Sequence, residues 1–181
     1  NPSSNNLYAG LCEAAFMTGI ERNADVVVLA SYAPLFARID YTQWSPDMIW
    51  FDGKSSYATP SYYVQQLYSL YTGKYTLDIN TGDELSEGLY TSASFDGENQ
   101  KLYVKLVNVT DNDMEINMDL GEAAKLMGKE ALTKAEEIVL TGNKEDVNSI
   151  SEPEKIKPVC SNIIIDEKYI LKGNSFAVLI F

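Results

Sequence analysis

Residues 13–63 decide the fold of this chain: EAAFMTGIERNADVVVLASYAPLFARIDYTQWSPDMIWFDGKSSYATPSYY. An apolar helix pattern comes first, a strand follows, and a loop rich in aromatic residues leaves that strand. Asp25–Ala30 (DVVVLA) has no polar alternation after its first residue, which predicts a strand covered on both faces. Such strands belong to α/β layers or barrels, where functional groups follow the carboxyl end of the strand. That end is Ser31–Pro34 here, and Trp44 comes after it.

Three motifs in this stretch carry a resemblance to a known family. They are NADVVVLASYAPLF at 23–36, W-x-P-D-x-I-x-F at 44–51 and TPSYYVQ at 59–65. Their order and spacing resemble the C-terminal part of the α-L-arabinofuranosidases of glycoside hydrolase family fifty-one. The resemblance is densest over Glu13–Gln66 and returns faintly in the last strand. It implies that Asp25–Ala30 is the eighth strand of a (β/α)8 barrel and that a β-sandwich follows the barrel.

The expected fold class is therefore α+β, with a jelly-roll-like β-sandwich preceded by the last helix–strand–helix segment of a (β/α)8 barrel. The sequence predicts a division into residues 1–72, the barrel end, and 73–181, the sandwich. After Gly73 the hydrophobic period changes from that of a helix to that of a strand. At 181 residues the chain is long enough to bury a core of its own.

Two helices are predicted before the boundary. One spans Leu7–Ile20, with Asn5 or Asn6 as its N-cap. The other begins at Thr59-Pro60, where threonine caps the helix and proline occupies its first position. Gly73 is expected to stop it, at the position just beyond the helix C-terminus. Between the two helices, residues 36–56 are predicted to be a long loop with short extended pieces.

Alternating patterns predict several short strands after the boundary, which is typical of a sandwich. Asp96-Gly97-Glu98-Asn99 is a hairpin signal between the first two strands. The predicted strands are Leu89–Phe95, Lys101–Val109, Met114–Leu120, Ala131–Leu140, Ile163–Ile165, Tyr169–Leu171 and Phe176–Phe181. The composition of Ala131–Leu140 favours a helix, whereas its neighbours and the resemblance favour the strand that we predict. Residues 141–158 are polar, contain two prolines and are predicted to be a loop.

Composition excludes several classes of function. The net charge of −12 argues against nucleic-acid binding. The absence of histidine excludes Ser-His-Asp and Cys-His catalysis within this chain, and the usual histidine zinc sites. Cys12 is expected to be a core thiol, while a Cys12–Cys160 disulfide stays open. No apolar run is long enough to predict a membrane span. The first ten residues lack a signal-peptide pattern, so a secreted or periplasmic parent would carry its signal upstream.

Catalytic residues are not expected in this chain. Retaining glycoside hydrolysis needs two carboxyl groups about 5–5.5 Å apart. The resemblance implies that both glutamates lie on earlier barrel strands, and their motifs have no counterpart here. Glu13 and Glu21 lie on or beside a helix, so neither is assigned a catalytic role and the chain alone is expected to be inactive. No cofactor and no metal are predicted, since two carboxylates suffice for this reaction.

Tyr32 and Trp44 are the candidate substrate-binding residues. Aromatic rings cover the apolar C–H face of a sugar, and both residues follow the predicted barrel strand. The alternative is that both rings plug the loop against the barrel rim. Family members often carry a sugar-binding glutamine at the position of Pro34, so that contact is not carried over. Asp47, in the second motif, is expected to hold the loop backbone.

The resemblance implies a parent enzyme that removes terminal α-L-arabinofuranosyl residues from arabinose-containing plant polysaccharides or oligosaccharides. The alternatives are a non-catalytic sandwich that binds carbohydrate, and a sandwich that only stabilises the barrel; the last is preferred for residues 73–181. No nucleic-acid or membrane partner is predicted. Self-association is predicted, because Val26–Leu29 belongs to a strand that expects neighbours at both edges.

Overall fold

The computed structural model describes residues 5–81 and 86–181. The helices are α1 (Leu7–Arg22), α2 (Pro60–Leu70) and α3 (Gly121–Leu126). The strands are β1 (Phe36–Arg38), β2 (Ile49–Phe51), β3 (Ser56–Ala58), β4 (Tyr75–Leu77), β5 (Leu89–Asp96), β6 (Lys101–Asn108), β7 (Met114–Asn117), β8 (Lys134–Thr141), β9 (Val159–Ile164), β10 (Lys168–Leu171) and β11 (Ser175–Ile180).

A six-stranded antiparallel sheet organises the molecule, in the order β4-β5-β6-β11-β8-β9. The strand pair β7 and β10, together with α3, covers one face of this sheet. Helices α1 and α2 cover the other face. The predicted α+β fold with a β-sandwich is therefore confirmed. Because α1 and α2 share a core with the sheet, the division at residue 72 stays a prediction.

The two central strands, β6 and β11, are buried on both faces. All six residues of β11, SFAVLI, are buried, and so are seven of the eight residues of β6. Leu102, Val104 and Leu106 face the β7–β10 side, whereas Tyr103 and Val107 face the helices. Both faces of these strands are covered, so apolar residues are favoured at every position.

The predicted N-termini of both helices are confirmed. The side chain of Asn6 accepts a hydrogen bond from the backbone N of Ala9 at 2.9 Å. Thr59 caps α2, whose first residue is Pro60. The strand signals from Leu89 onward are confirmed as well, with shifts of a few residues at their ends. Ala131–Leu140 is the strand β8, while β4 and α3 were not predicted.

The predicted helix stop at Gly73 is displaced by one residue, since the position just after the C-cap is Thr72. The C-cap of α2 is Tyr71, and Gly73 is not among the glycines with positive φ. A Cβ atom on Gly73 would instead lie 2.2–2.6 Å from the backbone C, O and N atoms of Phe95. Glycine is required here because the chain passes directly against β5.

The prediction of a strand at Asp25–Ala30 is wrong for this structure. Residues 23–26 form a turn, and residues 27–30 have no regular secondary structure. Val28 and Leu29 are 91% and 84% exposed. A strand covered on both faces requires a neighbour at each edge, and no strand in residues 5–81 and 86–181 pairs with this segment. The assignment of residues 1–72 to a barrel end is therefore still a proposal.

The region between the two helices is more ordered than the predicted long loop. Strands β1, β2 and β3 form a small sheet in which β1 and β2 are parallel and β2 and β3 antiparallel. Ala37, Trp50 and Tyr57 form the buried cluster on one face of this sheet. The short extended pieces that the sequence predicts in this region are these strands.

The cysteine prediction is wrong in one respect. Cys12 is exposed, because the neighbouring Leu11 and Ala14 form the buried face of α1. Cys160 is also exposed, and both thiols are free, so the disulfide left open by the sequence is not formed. The two cysteines lie on different layers of the molecule, since Cys12 belongs to α1 and Cys160 to β9.

Candidate functional site

The segment that carries Tyr32 and Trp44 runs from the end of α1 to the start of β2. Its backbone is tied to β2, because the N–H groups of Met48 and Ile49 donate to the carbonyls of Pro34 and Leu35 at 3.4 and 2.9 Å. These bonds extend the parallel pairing of β1 and β2 towards Tyr32. The segment is therefore held at its far end by the small sheet.

Tyr32 is half-buried at a point where groups from three other elements meet. Burial raises the pKa of its phenol, and the charge of Glu13 raises it further. The Ser61 hydroxyl acts in the opposite direction, while the charge of Asp47 adds to the rise. Glu13 comes from α1, Ser61 from the first turn of α2 and Asp47 from the loop before β2. A hydroxyl and two carboxyl groups from other elements thus influence the ionisation of the Tyr32 phenol.

Both carboxyl groups in this cluster are desolvated. Glu13 Oε1 accepts a hydrogen bond from Gln65 Nε2 at 2.5 Å, and burial raises the pKa of Glu13. Asp47 is only 1% exposed, and burial raises its pKa as well. Among the residues that the structure describes, no donor lies within hydrogen-bond distance of Asp47 Oδ2. Burial of a carboxyl oxygen without a donor disfavours its charged form, in agreement with the direction of the Asp47 pKa.

The sequence did not single out Glu13 or Ser61 as groups that act on Tyr32, or Gln65 as a partner of Glu13. Ser61 and Gln65 are four residues apart, which places them on the same face of α2. That spacing can be read from the sequence. The approach of Glu13 to Gln65 cannot be read from it, because it depends on how α1 packs against α2.

Trp44 lies outside the Tyr32 cluster. Its side chain is 65% exposed, and its backbone is held by Thr42, whose hydroxyl donates to the Trp44 carbonyl at 2.7 Å. Other exposed aromatic residues lie in the same region. Phe36 and Phe51 form an edge-to-face pair with centroids 6.5 Å apart, and Arg38 lies over the Tyr41 ring at 4.5 Å. The sugar-binding roles of Tyr32 and Trp44 stay predictions.

A groove of about 680 Å³ runs beside α1 and α2. The exposed residues 27–30 form its apolar wall, and Gln65, Tyr68 and residues 72–76 contribute the opposite side. The groove therefore exposes apolar surface that a solvated domain normally covers.

The glutamates of α1 do not form a catalytic pair for retaining hydrolysis. Glu13 and Glu21 are eight residues apart on one helix, which separates them by about 12 Å along its axis. This exceeds the separation of about 5–5.5 Å that the reaction needs. Glu21 is also occupied by an ion pair with Lys105.

Two further observations concern metals and membranes. Within residues 5–81 and 86–181, no three or more His, Cys, Asp or Glu side chains are placed to hold a metal ion. None of the described helices combines the length and apolar character needed to cross a bilayer.

Comparison with known proteins gives one consistent family. The family described as "Alpha-L-arabinofuranosidase C-terminal domain" matches residues 2–175. α-L-Arabinofuranosidase 1 of Arabidopsis thaliana is 37% identical over 154 residues, which is 84% of this chain and 23% of that protein. α-L-Arabinofuranosidase 2 of the same plant is 34% identical over 181 residues, or 95% of this chain and 26% of that protein.

Solved structures agree with the sequence relatives. The arabinose-bound α-L-arabinofuranosidase MgGH51 superimposes with a TM-score of 0.83 at 27% identity, covering 97% of this chain and 27% of that one. The thermostable α-L-arabinofuranosidase of Thermotoga petrophila has the same fold, with a TM-score of 0.75 at 20% identity, covering 97% of this chain and 38% of that one. This chain thus spans about a quarter of the length of the Arabidopsis relatives.

Proposed function

Because this chain belongs to the family of α-L-arabinofuranosidase C-terminal domains, we propose that it is the C-terminal region of a retaining α-L-arabinofuranosidase. The substrates of the whole enzyme are terminal non-reducing α-L-arabinofuranosyl residues in arabinoxylan, arabinan and related oligosaccharides. The observation that carries the proposal is the family match over residues 2–175. The similarity to an arabinose-bound enzyme over 97% of the chain supports it.

Residues 1–72 form the barrel end in this proposal, and residues 73–181 form a sandwich with a structural role. The unpaired, apolar residues 27–30 support the first part, because they have the composition of a buried strand and lack its neighbours. The catalytic glutamates belong to the part of the enzyme that this chain does not contain. Tyr32 and Trp44 contact the sugar from the segment that follows the barrel strand.

A carbohydrate-binding sandwich without catalysis is the second candidate. Such a module would present a row of exposed aromatic rings on its strands. Tyr90 and Tyr103 are the obvious candidates on the alternating strands, and Tyr103 is buried against the helix-covered face. Among the described residues, the sandwich strands expose two aromatic side chains, Tyr75 and Tyr90, whereas Phe36, Tyr41 and Trp44 are exposed around β1 and β2. This distribution favours the first proposal.

The isolated chain is expected to release no p-nitrophenol from p-nitrophenyl α-L-arabinofuranoside. The reason is that the motifs of the two catalytic glutamates have no counterpart in the chain, and Glu13 and Glu21 are separated along α1 by more than retaining hydrolysis allows. The measurement is absorbance at millimolar substrate, with a complete family member as the positive control. Turnover that persists in the Glu13→Gln/Glu21→Gln double variant would contradict the placement of the catalytic groups outside this chain.

Substitution of Trp44 by alanine is expected to abolish the binding of arabino-oligosaccharides to the chain. Stacking on an exposed indole buries the apolar face of a sugar, and its loss removes that contact. Trp44 and Trp50 are the two tryptophans of the chain, and Trp50 is buried, so a fluorescence titration of the wild type reports on Trp44. For the variants, the binding of oligosaccharide is measured by isothermal titration calorimetry.

The matched control is Tyr41→Ala, which removes another exposed aromatic ring of the same region. We expect this control to bind oligosaccharide as the wild type does, and Tyr32→Ala to bind more weakly. Equal binding by Trp44→Ala and the wild type would remove Trp44 from the site. Loss of binding in Tyr41→Ala alone would move the site to the Arg38–Tyr41 pair.

The chain is also expected to self-associate at tens of micromolar, through residues 7–35 and 60–71. The exposed residues 27–30 and the adjacent groove provide apolar surface, and no strand of the described residues pairs with residues 27–30; both features favour association. Val28→Lys should shift sedimentation towards a monomer. Val159→Lys, which changes an exposed valine on β9, is the matched control and should not. A monomeric wild type, or dissociation by the control alone, would contradict this interface.

A further inference from the structure

A lysine lies in the middle of the core. Lys105 is the fifth residue of β6, and its side chain is fully buried on the face that α1 and α2 cover. Lysine is almost never fully buried in a protein unless it is paired. Its partner is Glu21 in the last turn of α1, with Lys105 Nζ 2.6 Å from Glu21 Oε1. The two residues are 84 positions apart in the sequence.

Hydroxyl groups satisfy the rest of the Glu21 carboxylate. Ser92 Oγ donates to Oε2 at 2.5 Å, and Ser94 Oγ donates to Oε1 at 3.3 Å, both from β5. Thr72 Oγ1, just beyond α2, lies 3.5 Å from Oε1. The carboxylate therefore receives donors from two strands of the sheet and from the segment after α2. Charged hydrogen bonds of this kind are strong and directional.

The ammonium group of Lys105 has a second partner in α2. Its Nζ lies 5.1 Å from the centroid of the Tyr68 ring, within the range of a cation–π contact. The Tyr68 hydroxyl donates to the carbonyl of Ala14 in α1 at 2.9 Å. Burial lowers the pKa of Lys105, and the charge of Glu21 opposes that change. One lysine thus connects β6 to both helices.

Arg22, which follows Glu21 at the end of α1, also attaches this helix to the sheet. Arg22 donates through Nη1 to the carbonyl of Thr91 in β5 and to the hydroxyl of Thr18. The segment that leads to Tyr32 leaves α1 directly after Arg22. The orientation of the last turn of α1 therefore decides where that segment starts.

Apolar packing alone does not specify this orientation. The hydrophobic effect is non-directional, so apolar burial by itself discriminates less between neighbouring orientations of a helix than a directional contact does. A buried ion pair is satisfied in one geometry, and it contributes little net stability because desolvation offsets the attraction. The pair is therefore better suited to selecting one arrangement than to adding stability.

We propose that the buried Glu21–Lys105 pair is a positioning device that selects the orientation in which α1, and the segment that follows it, docks on the six-stranded sheet. The inference rests on contacts within this chain and is independent of the proposed sugar-binding role. The test is a distance measurement rather than a stability measurement alone.

The two native cysteines provide the labelling sites. Cys12 lies on α1 and Cys160 on β9 of the sheet; both are free and exposed, and the chain contains no other cysteine. Spin labels on both residues report the position of α1 relative to the sheet by pulsed electron paramagnetic resonance. The spectra are recorded at a concentration and salt at which sedimentation shows a monomer, or with Val28→Lys as the background. The wild type should give a single narrow distance distribution.

The informative variant is Glu21→Gln/Lys105→Met, which removes both charges and retains most of the volume of both side chains. We expect it to fold and to give a distance distribution that is shifted or clearly broader. Hydrogen exchange of the α1 amides should become about tenfold faster relative to β6 and β11. The single variant Lys105→Met, which leaves a buried carboxylate unpaired, should unfold more easily than the double variant.

The matched control removes an exposed ion pair on α3. Glu122→Gln/Lys125→Met eliminates a 2.6 Å pair at the surface and should change neither the distance distribution nor the exchange rates. A double variant at Glu21 and Lys105 that keeps the narrow wild-type distribution would overturn the proposal. A double variant that does not fold would overturn it as well, because the pair would then be needed for stability rather than for orientation.

Discussion

Replacing Phe176 with alanine is expected to lower the free energy of unfolding by about 3–5 kcal/mol. Phe176 lies on β11, is fully buried, and stacks on the Tyr68 ring of α2 with centroids 5.3 Å apart. Removing its ring leaves a cavity between the central strand and the helix layer. The sheet on one side and α2 on the other are rigid elements, so the cavity collapses only in part.

Urea denaturation followed by circular dichroism measures this loss. Phe16→Ala is the matched control, because Phe16 is an exposed phenylalanine on α1, and its removal should change stability by no more than about 0.5 kcal/mol. A loss below about 1 kcal/mol in Phe176→Ala, where values of about 3–5 are usual, would mean that α2 does not pack on β11 in solution.

Replacing Gly73 with alanine is expected to destabilise the chain by about 1–3 kcal/mol or more. The new Cβ would lie 2.2–2.6 Å from the backbone of Phe95, closer than any van der Waals contact. Phe95 pairs with Leu102 in β6 and with Tyr75 in β4, so β5 cannot move away without breaking its ladder. The methyl group must therefore displace the connection between α2 and β4.

Thermal unfolding distinguishes this clash from an ordinary change of glycine to alanine. Gly53 and Gly19 have no atom within 4 Å of the position of an added Cβ. Gly53→Ala should be close to neutral, and Gly19→Ala, inside α1, should be stabilising by up to about 1 kcal/mol. Equal melting temperatures for Gly73→Ala and Gly53→Ala would show that the close approach to β5 is absent in solution.

The candidate site could be predicted only in part. The position of Tyr32 and Trp44 after an apolar segment is visible in the sequence, and it motivated both assignments. The surroundings of Tyr32 are not visible there, since Glu13, Ser61 and Asp47 approach from different elements. Pairs such as Glu13 and Gln65 are 52 positions apart, and no local pattern predicts which residues become neighbours at that separation.

Two segments that are similarly apolar show a limit of predicting structure from sequence. DVVVLA at 25–30 and SFAVLI at 175–180 both lack polar alternation, and both predict a buried strand. The second is a strand because β6 and β8 pair with its two edges. The first is exposed, because no strand in the described part of the chain pairs with it. A strand's hydrogen bonds are made with another segment, so its sequence alone does not determine its structure.

The sequence by itself determined the elements whose hydrogen bonds are local. The caps at Asn6 and Thr59 and the hairpin between β5 and β6 depend on neighbours within a few residues. Only the tertiary structure decided the role of Lys105. The alternating pattern of KLYVKLVN predicts which residues of the strand share a face with Lys105, but it does not predict which residue pairs with it. Glu21 is 84 positions away, and a buried charge is tolerated only where such a partner is brought to it by folding.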